Sequence, residues 1–93
     1  MDKFFFNEQN KDDELVKLSQ LKLGDRGYII GFENTIDIKT KRRFLELGFI
    51  KNTIISLNNI SFLQDVFLIE INGFMLAIRK EQASNIFCRR ILC

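Results

Sequence analysis

Four cations, Lys39, Lys41, Arg42 and Arg43, fall within five positions and form the densest knot of chemistry-bearing side chains in this 93-residue chain. Grouped guanidinium and ammonium ions can hold phosphates or an acidic protein surface. The plain alternative is a solvated basic face. Its cost is small, because cations in a first helical turn meet the positive end of the helix dipole at a few tenths of a kcal/mol each. The remaining reactive groups are sparse. Cys88 and Cys93 are the two cysteines, and there is no histidine. On an extended strand a spacing of five puts the two thiols on opposite faces, so a shared metal or disulfide is not expected. Cys88 reads as a small buried hydrophobe. The carboxylates Asp25, Glu33, Asp37, Glu46, Asp65, Glu70 and Glu81 are scattered singly. Without histidine the common triads and zinc motifs are excluded. The stretch Gly24 to Gly31 lacks the spacing and following helix of a phosphate loop. The expectation is a protein with no catalytic residues, no cofactor and no metal ligands.

The elements that must position the cations read as one helix among strands. Lys41 to Leu47 carries the helical pattern, predicting a short helix at about 40–48 with Phe44, Leu45 and Leu47 on one face. Gly48 is the predicted stop, in the left-handed conformation that glycine adopts without penalty. Phe49 then folds back onto Phe44 and fixes the exit direction. Elsewhere the apolar residues alternate. Tyr28 to Phe32, Thr53 to Leu57, Val66 to Ile71, Phe74 to Arg79 and Ile86 to Ile91 read as strands. Asn58-Asn59 breaks the pattern of the second, and Ser19 is placed to cap a single helical turn between Leu18 and Leu21. Asn72-Gly73 is the sharpest local signal, a two-residue hairpin loop whose central residues both need positive φ. It sets the register: Ile71 opposite Phe74, Ile69 opposite Leu76 and Phe67 opposite Ile78 on the core side. Glu70 with Met75 and Leu68 with Ala77 face the other way. Five short strands with one small helix make a mainly β protein, a small closed barrel, since closure removes sheet edges.

Length allows one domain with a single core. Residues 1–14 hold five acids and two bases and show no period, so they read as a mobile acidic tail; 15–93, with seven acids and twelve bases, form the domain. The tail's Phe4, Phe5 and Phe6 are placed to tuck onto the domain or to serve as a docking motif. No apolar run approaches bilayer length, and Met1 to Asn7 lacks the form of a signal peptide, so a cytoplasmic protein is expected.

Leu18-Ser19-Gln20-Leu21 with Gly24, Gly27 to Gly31, and Arg43-Phe44-Leu45-Glu46-Leu47-Gly48-Phe49 together resemble the ferrous iron transport protein A (FeoA) family. The second half agrees in Thr53-Ile54-Ile55, Leu63 to Asp65, Asn72-Gly73, Leu76-Ala77-Ile78-Arg79 and Glu81 with Ala83 and Ile86. The likeness covers about residues 18 to 90. It implies an SH3-like five-stranded barrel that regulates or assembles FeoB, a membrane ferrous iron transporter with a cytosolic GTPase domain. The location implied is the cytoplasm, or the inner face of the membrane through that partner. Where the family pattern has Pro-Gly after the helix this chain has Lys51-Asn52, and for Pro-Leu-Gly-Asp-Pro it has Phe62-Leu63-Gln64-Asp65-Val66. The same fold occurs as an appended module in metal-dependent transcriptional repressors; no DNA-binding domain is expected here.

The partner-binding candidates are Lys41, Arg42 and Arg43 for an acidic surface, and Phe62, Leu63, Leu68 and Met75 for one apolar contact surface, used for self-association or for the transporter. The structural residues are Gly48, Phe44, Phe49, Asn72 and Gly73. A nucleic-acid-binding small barrel, using Lys41 to Arg43 and Arg89-Arg90, is the alternative; it lacks an exposed aromatic platform for stacking bases.

Overall fold

The computed structural model describes residues 13–92, which leaves Phe4, Phe5, Phe6 and Cys93 outside the described residues. Six antiparallel strands build it: β1 (Asp13–Lys17), β2 (Arg26–Phe32), β3 (Ile54–Ile60), β4 (Val66–Ile71), β5 (Phe74–Arg79) and β6 (Ile86–Ile91). Their order in the sheet is β1-β6-β2-β3-β4-β5. The mainly β architecture is as expected, but there are six strands rather than five. The extra one is β1, which takes Asp13 and Glu14 from the stretch assigned to the acidic tail and pairs Asp13 with Ile91 through to Lys17 with Phe87. A carboxylate can enter this strand because Arg90 of β6 stands opposite Glu14 and pairs with it.

Each strand gives alternate residues to a single core. Ile29, Ile55, Leu57, Phe67, Ile69, Ile71, Ile78 and Cys88 are all buried, together with Leu18 and Leu21 flanking a 3-10 turn and Ala83 of the short helix after β5. The 3-10 turn, Leu18–Gln20, has Lys17 at its cap position and so starts two residues earlier than a Ser19 cap would place it. Its first free N–H, that of Lys17, is taken by the Gln20 side chain at 2.8 Å. The sheet curls around this core with register shifts between Ile29 and Gly31 and between Leu57 and Asn59. The second of these explains why Asn58-Asn59 does not end the strand: the bulge absorbs one residue and β3 runs on to Ile60. Closure of the barrel is not complete in hydrogen bonds. The sheet order leaves β1 and β5 as edges, and the helix after β5 packs on the 3-10 turn that follows β1.

Helix α1 spans Ile38–Glu46, two residues earlier at each end than the pattern predicts. Asp37 explains the shift. Its carboxylate accepts from the Lys39 and Thr40 N–H groups, each at 3.1 Å, and so starts the helix at Ile38. At the other end Gly48 has φ +103, its N–H donates to the Leu45 carbonyl at 3.1 Å, and the Phe49 N–H donates to the Phe44 carbonyl at 3.0 Å. These two bonds are a Schellman cap. The Phe44 and Phe49 rings meet with centroids 5.1 Å apart, as the sequence predicts. Leu45 differs: it is largely exposed, since the face of α1 that meets the core is narrow and admits Phe44 and part of Leu47.

The hairpin follows its predicted register throughout, with Asn72 at φ 52 and Gly73 at φ 86. Phe74 remains 42% exposed despite its core-side register, because it lies at the tip of an edge strand. A second short helix, α2 (Lys80–Ala83), links β5 to β6.

Candidate functional site

Lys41, Arg42 and Arg43 stand exposed on α1, beyond its first turn. The first-turn placement predicted for the four cations holds for Lys39, the second residue of α1, and is corrected for Arg43, which belongs to the last turn, where a cation is favoured. The Asp37 carboxylate already holds the N–H groups that an external anion would seek. What remains is a convex cationic ridge rather than a phosphate cradle. Two of its cations lie over aromatic rings: Lys41 Nζ is 5.9 Å from the Phe32 centroid and the Arg43 guanidinium 5.3 Å from that of Phe44. Phe32 and Phe44 in turn stack at 6.3 Å. The ridge is thus aimed by the rings beneath it.

The apolar candidates divide into two places. Phe62 and Leu63 are 97% and 76% exposed in the β3–β4 loop. That loop is locked by Ser61, whose hydroxyl donates to Asp65 at 2.7 Å and accepts from the Val66 N–H at 3.0 Å. Leu68 is half-buried and stands opposite Ala77, one step diagonally from exposed Met75. Asn58, in the bulge, reaches over this face to donate to Glu70 at 3.3 Å and lies 3.8 Å from Met75 Sδ. The hairpin brings Leu68 and Met75 together. The loop precedes the Val66–Arg79 end of the same hairpin, and Val66 is itself four residues, about 13 Å, along β4 from the Met75 row.

Sequence reasoning missed what Arg90 does. Counted above with Arg89 as a basic pair, it is turned inward: Nη2 pairs with Glu14 and Nη1 meets Asp25 Oδ2 at 3.3 Å. It joins β1, β6 and the turn before β2, and only 17% of its side chain is exposed. The alternation of β6 puts Arg89 and Arg90 on opposite faces, a signal that was available.

Burial pushes the Cys88 thiol up from its ordinary 9.0 to about 12, opposed by Arg90 and reinforced by Asp25. The folded chain keeps this proton while the unfolded chain loses it near pH 9. The stabilisation is therefore complete below pH 9 and disappears between pH 9 and about 12, at roughly 1.4 kcal/mol per pH unit. Denaturant melts of Cys93→Ser from pH 8 to 11 should show that decline, and a further Cys88→Ala change should flatten it; equal slopes would mean that the thiol is not buried.

Among the described residues no three Cys, Asp or Glu side chains gather to hold a metal ion, no pocket opens, and no helix is long and apolar enough to cross a membrane. The sequence matches the family described as FeoA domain over residues 16–90. A FeoA protein from Chlorobium tepidum is 28% identical, with a TM-score of 0.73, over 84% of this chain and 71% of that one. A Stenotrophomonas maltophilia FeoA complexed with zinc, described as a procaryotic SH3 domain protein, is 20% identical at TM-score 0.70, over 78% of this chain and 88% of that one. A manganese-dependent transcriptional repressor shares the fold alone, at 15% identity and TM-score 0.74, with 83% of this chain covering 37% of that one. No curated protein matches the sequence significantly.

Proposed function

The chain belongs to the FeoA family, which is implicated in ferrous iron transport, and from that membership we propose that it acts as a regulatory accessory protein on the cytosolic part of a FeoB-type transporter. The observation that carries this reading is the family match across residues 16–90, nearly the whole described domain. Contact rather than chemistry is the mode of action. The ridge of Lys41, Arg42 and Arg43 supplies long-range attraction to an acidic surface and sets orientation. Phe62 and Leu63, held out by the Ser61-locked loop, supply apolar anchors at a separate point. Residues from β1 onward are the working unit, placed on the cytoplasmic side by their partner, and the acidic N-terminal segment is an appendage to it.

The nucleic-acid reading is the weaker one. It loses Arg90 to an internal ion pair, and Phe32 and Phe44, the rings nearest the ridge, are half-buried and buried. Binding of the full chain to the isolated cytosolic GTPase domain of the transporter tests the proposal. In low salt the Lys41→Gln, Arg42→Gln, Arg43→Gln variant should bind about tenfold more weakly, and the difference should fade as salt screens the charges. Its melting temperature should drop slightly, because each lost ring contact costs about 0.5–1 kcal/mol. Identical binding at low salt would reduce the ridge to a solvated face, and no binding by the wild type would end the proposal.

A further inference from the structure

The outer edge of β5 carries a pairing surface that the role above leaves unused. A two-residue loop is closed by a pair that exchanges both backbone bonds, here Ile71 and Phe74. Alternation then turns the N–H and C=O groups of Leu76 and Ile78 toward β4, and those of Met75 and Ala77 away from it. Among the described residues no strand lies on that side, and no hydrogen bond takes up the Met75 or Ala77 backbone. The edge also lacks the usual guards. The β4–β5 register runs without a bulge, the strand has no proline, and its one charge, Arg79, comes at the end. The other edge, β1, is guarded by Glu14 and Lys17, each in an ion pair.

We propose that β5 pairs antiparallel with β5 of a second copy of this chain about a two-fold axis at Ala77. That register opposes Ala77 to Ala77 of the partner subunit and Met75 to Arg79 of the partner subunit, and so joins outward-facing backbone to outward-facing backbone. Four intermolecular bonds result: two between the alanines, and one at each end from the Arg79 N–H to a Met75 carbonyl. The carbonyl of Arg79 is already committed as the N-cap of α2. Charge selects this occupant. Glu70 stands beside Met75 on the same outer face, so the row becomes Glu70, Met75 and Arg79 of the partner subunit, twice by symmetry. Two strand spacings, about 10 Å, are within the combined reach of a glutamate and an arginine lying across a methionine. Neither Glu70 nor Arg79 forms an ion pair among the described residues. The dimer thus gives both an opposite charge, and it covers Met75, which is 49% exposed in the single chain.

Sedimentation equilibrium of the full chain, titrated to about 1 mM because so small a contact lies at the weak end of protein interfaces, reads the proposal directly. The wild type should show a monomer–dimer equilibrium. Ala77→Pro removes the outward N–H at a position where an edge strand tolerates proline, and should weaken the dimer about tenfold or more. Arg79→Glu and Glu70→Arg should each weaken it, while the two together restore it, a pattern that loss of folding cannot imitate and that holds the test open if Ala77→Pro fails to fold. A chain that stays monomeric at 1 mM overturns the proposal. So does a dimer unmoved by Ala77→Pro and by either charge reversal. A monomer whose binding to the transporter domain falls in Ala77→Pro would assign the edge to the transporter and overturn it as well.

Discussion

Replacing Gly48 by valine is expected to lower the stability of the domain by about 3 kcal/mol or more, enough to move the melting temperature by roughly 12 °C or further. Two separate penalties combine. The backbone at Gly48 has φ +103, a value at which a side chain is strained and a β-branched one most of all. Independently, a Cβ at this position would collide with the side-chain amide of Asn72. The atoms met belong to the Asn72 side chain, which is exposed at the hairpin tip and can turn aside, so the contact penalty is the smaller of the two. The helix stop and the hairpin tip therefore touch. The two terms can be separated with alanine. Gly48→Ala should cost less than valine, and in an Asn72→Gly background the contact term should vanish while the conformational term remains. Equal losses in both backgrounds would show that the tip and the cap do not interact, and an unchanged melting temperature in Gly48→Val would refute the cap itself.

Much of this geometry was legible because it is local. Gly48, Phe49 and Asn72-Gly73 are fixed by conformational rules spanning six residues or fewer, and the structure keeps each of them. Turn chemistry also explains how the departures from the family pattern are accommodated. Asn52 takes φ 76 and Gln64 φ 61 at the two positions where the pattern carries glycine. Asparagine enters that region readily; glutamine does so at some strain, within a loop that Ser61 ties down. What escaped was set by distant partners. β1 looked like tail because Asp13 and Glu14 are acidic, and nothing near them in sequence announces that Arg90 will neutralise one of them. The ridge was legible as charge but not as geometry, since the rings under Lys41 and Arg43 depend on how α1 meets β2. Asp37 was a local miss: a capping residue three positions before Thr40 was there to be read.

Phe44→Ala is the substitution expected to damage both the fold and the binding surface. Phe44 is the fully buried side chain of α1, packed on Phe49 at 5.1 Å and on Phe32 at 6.3 Å. Truncating such a phenylalanine typically costs about 3–5 kcal/mol, set against a total stability on the order of 5–14 kcal/mol for a chain of this length. A substantial fraction of molecules should then unfold near body temperature. The effect on function follows from the helix's length. Nine residues do not hold a helix in water unaided, so α1 exists because Phe44 anchors it and the caps at Asp37 and Gly48 close its ends. Without the ring, Lys41, Arg42 and Arg43 keep their charges but lose their common direction, and Arg43 loses the surface on which it lies. Binding to an acidic partner should fall as far in Phe44→Ala as in the triple glutamine variant, even at a temperature where most of the sheet persists. Leu45→Ala is the control, for Leu45 is 41% exposed and its loss should cost under about 1 kcal/mol and leave binding intact. If Phe44→Ala melts within a few degrees of wild type, the helix is held by something other than its aromatic anchor. If it is destabilised yet binds normally once folded, the orientation of the ridge does not matter and charge alone recruits the partner.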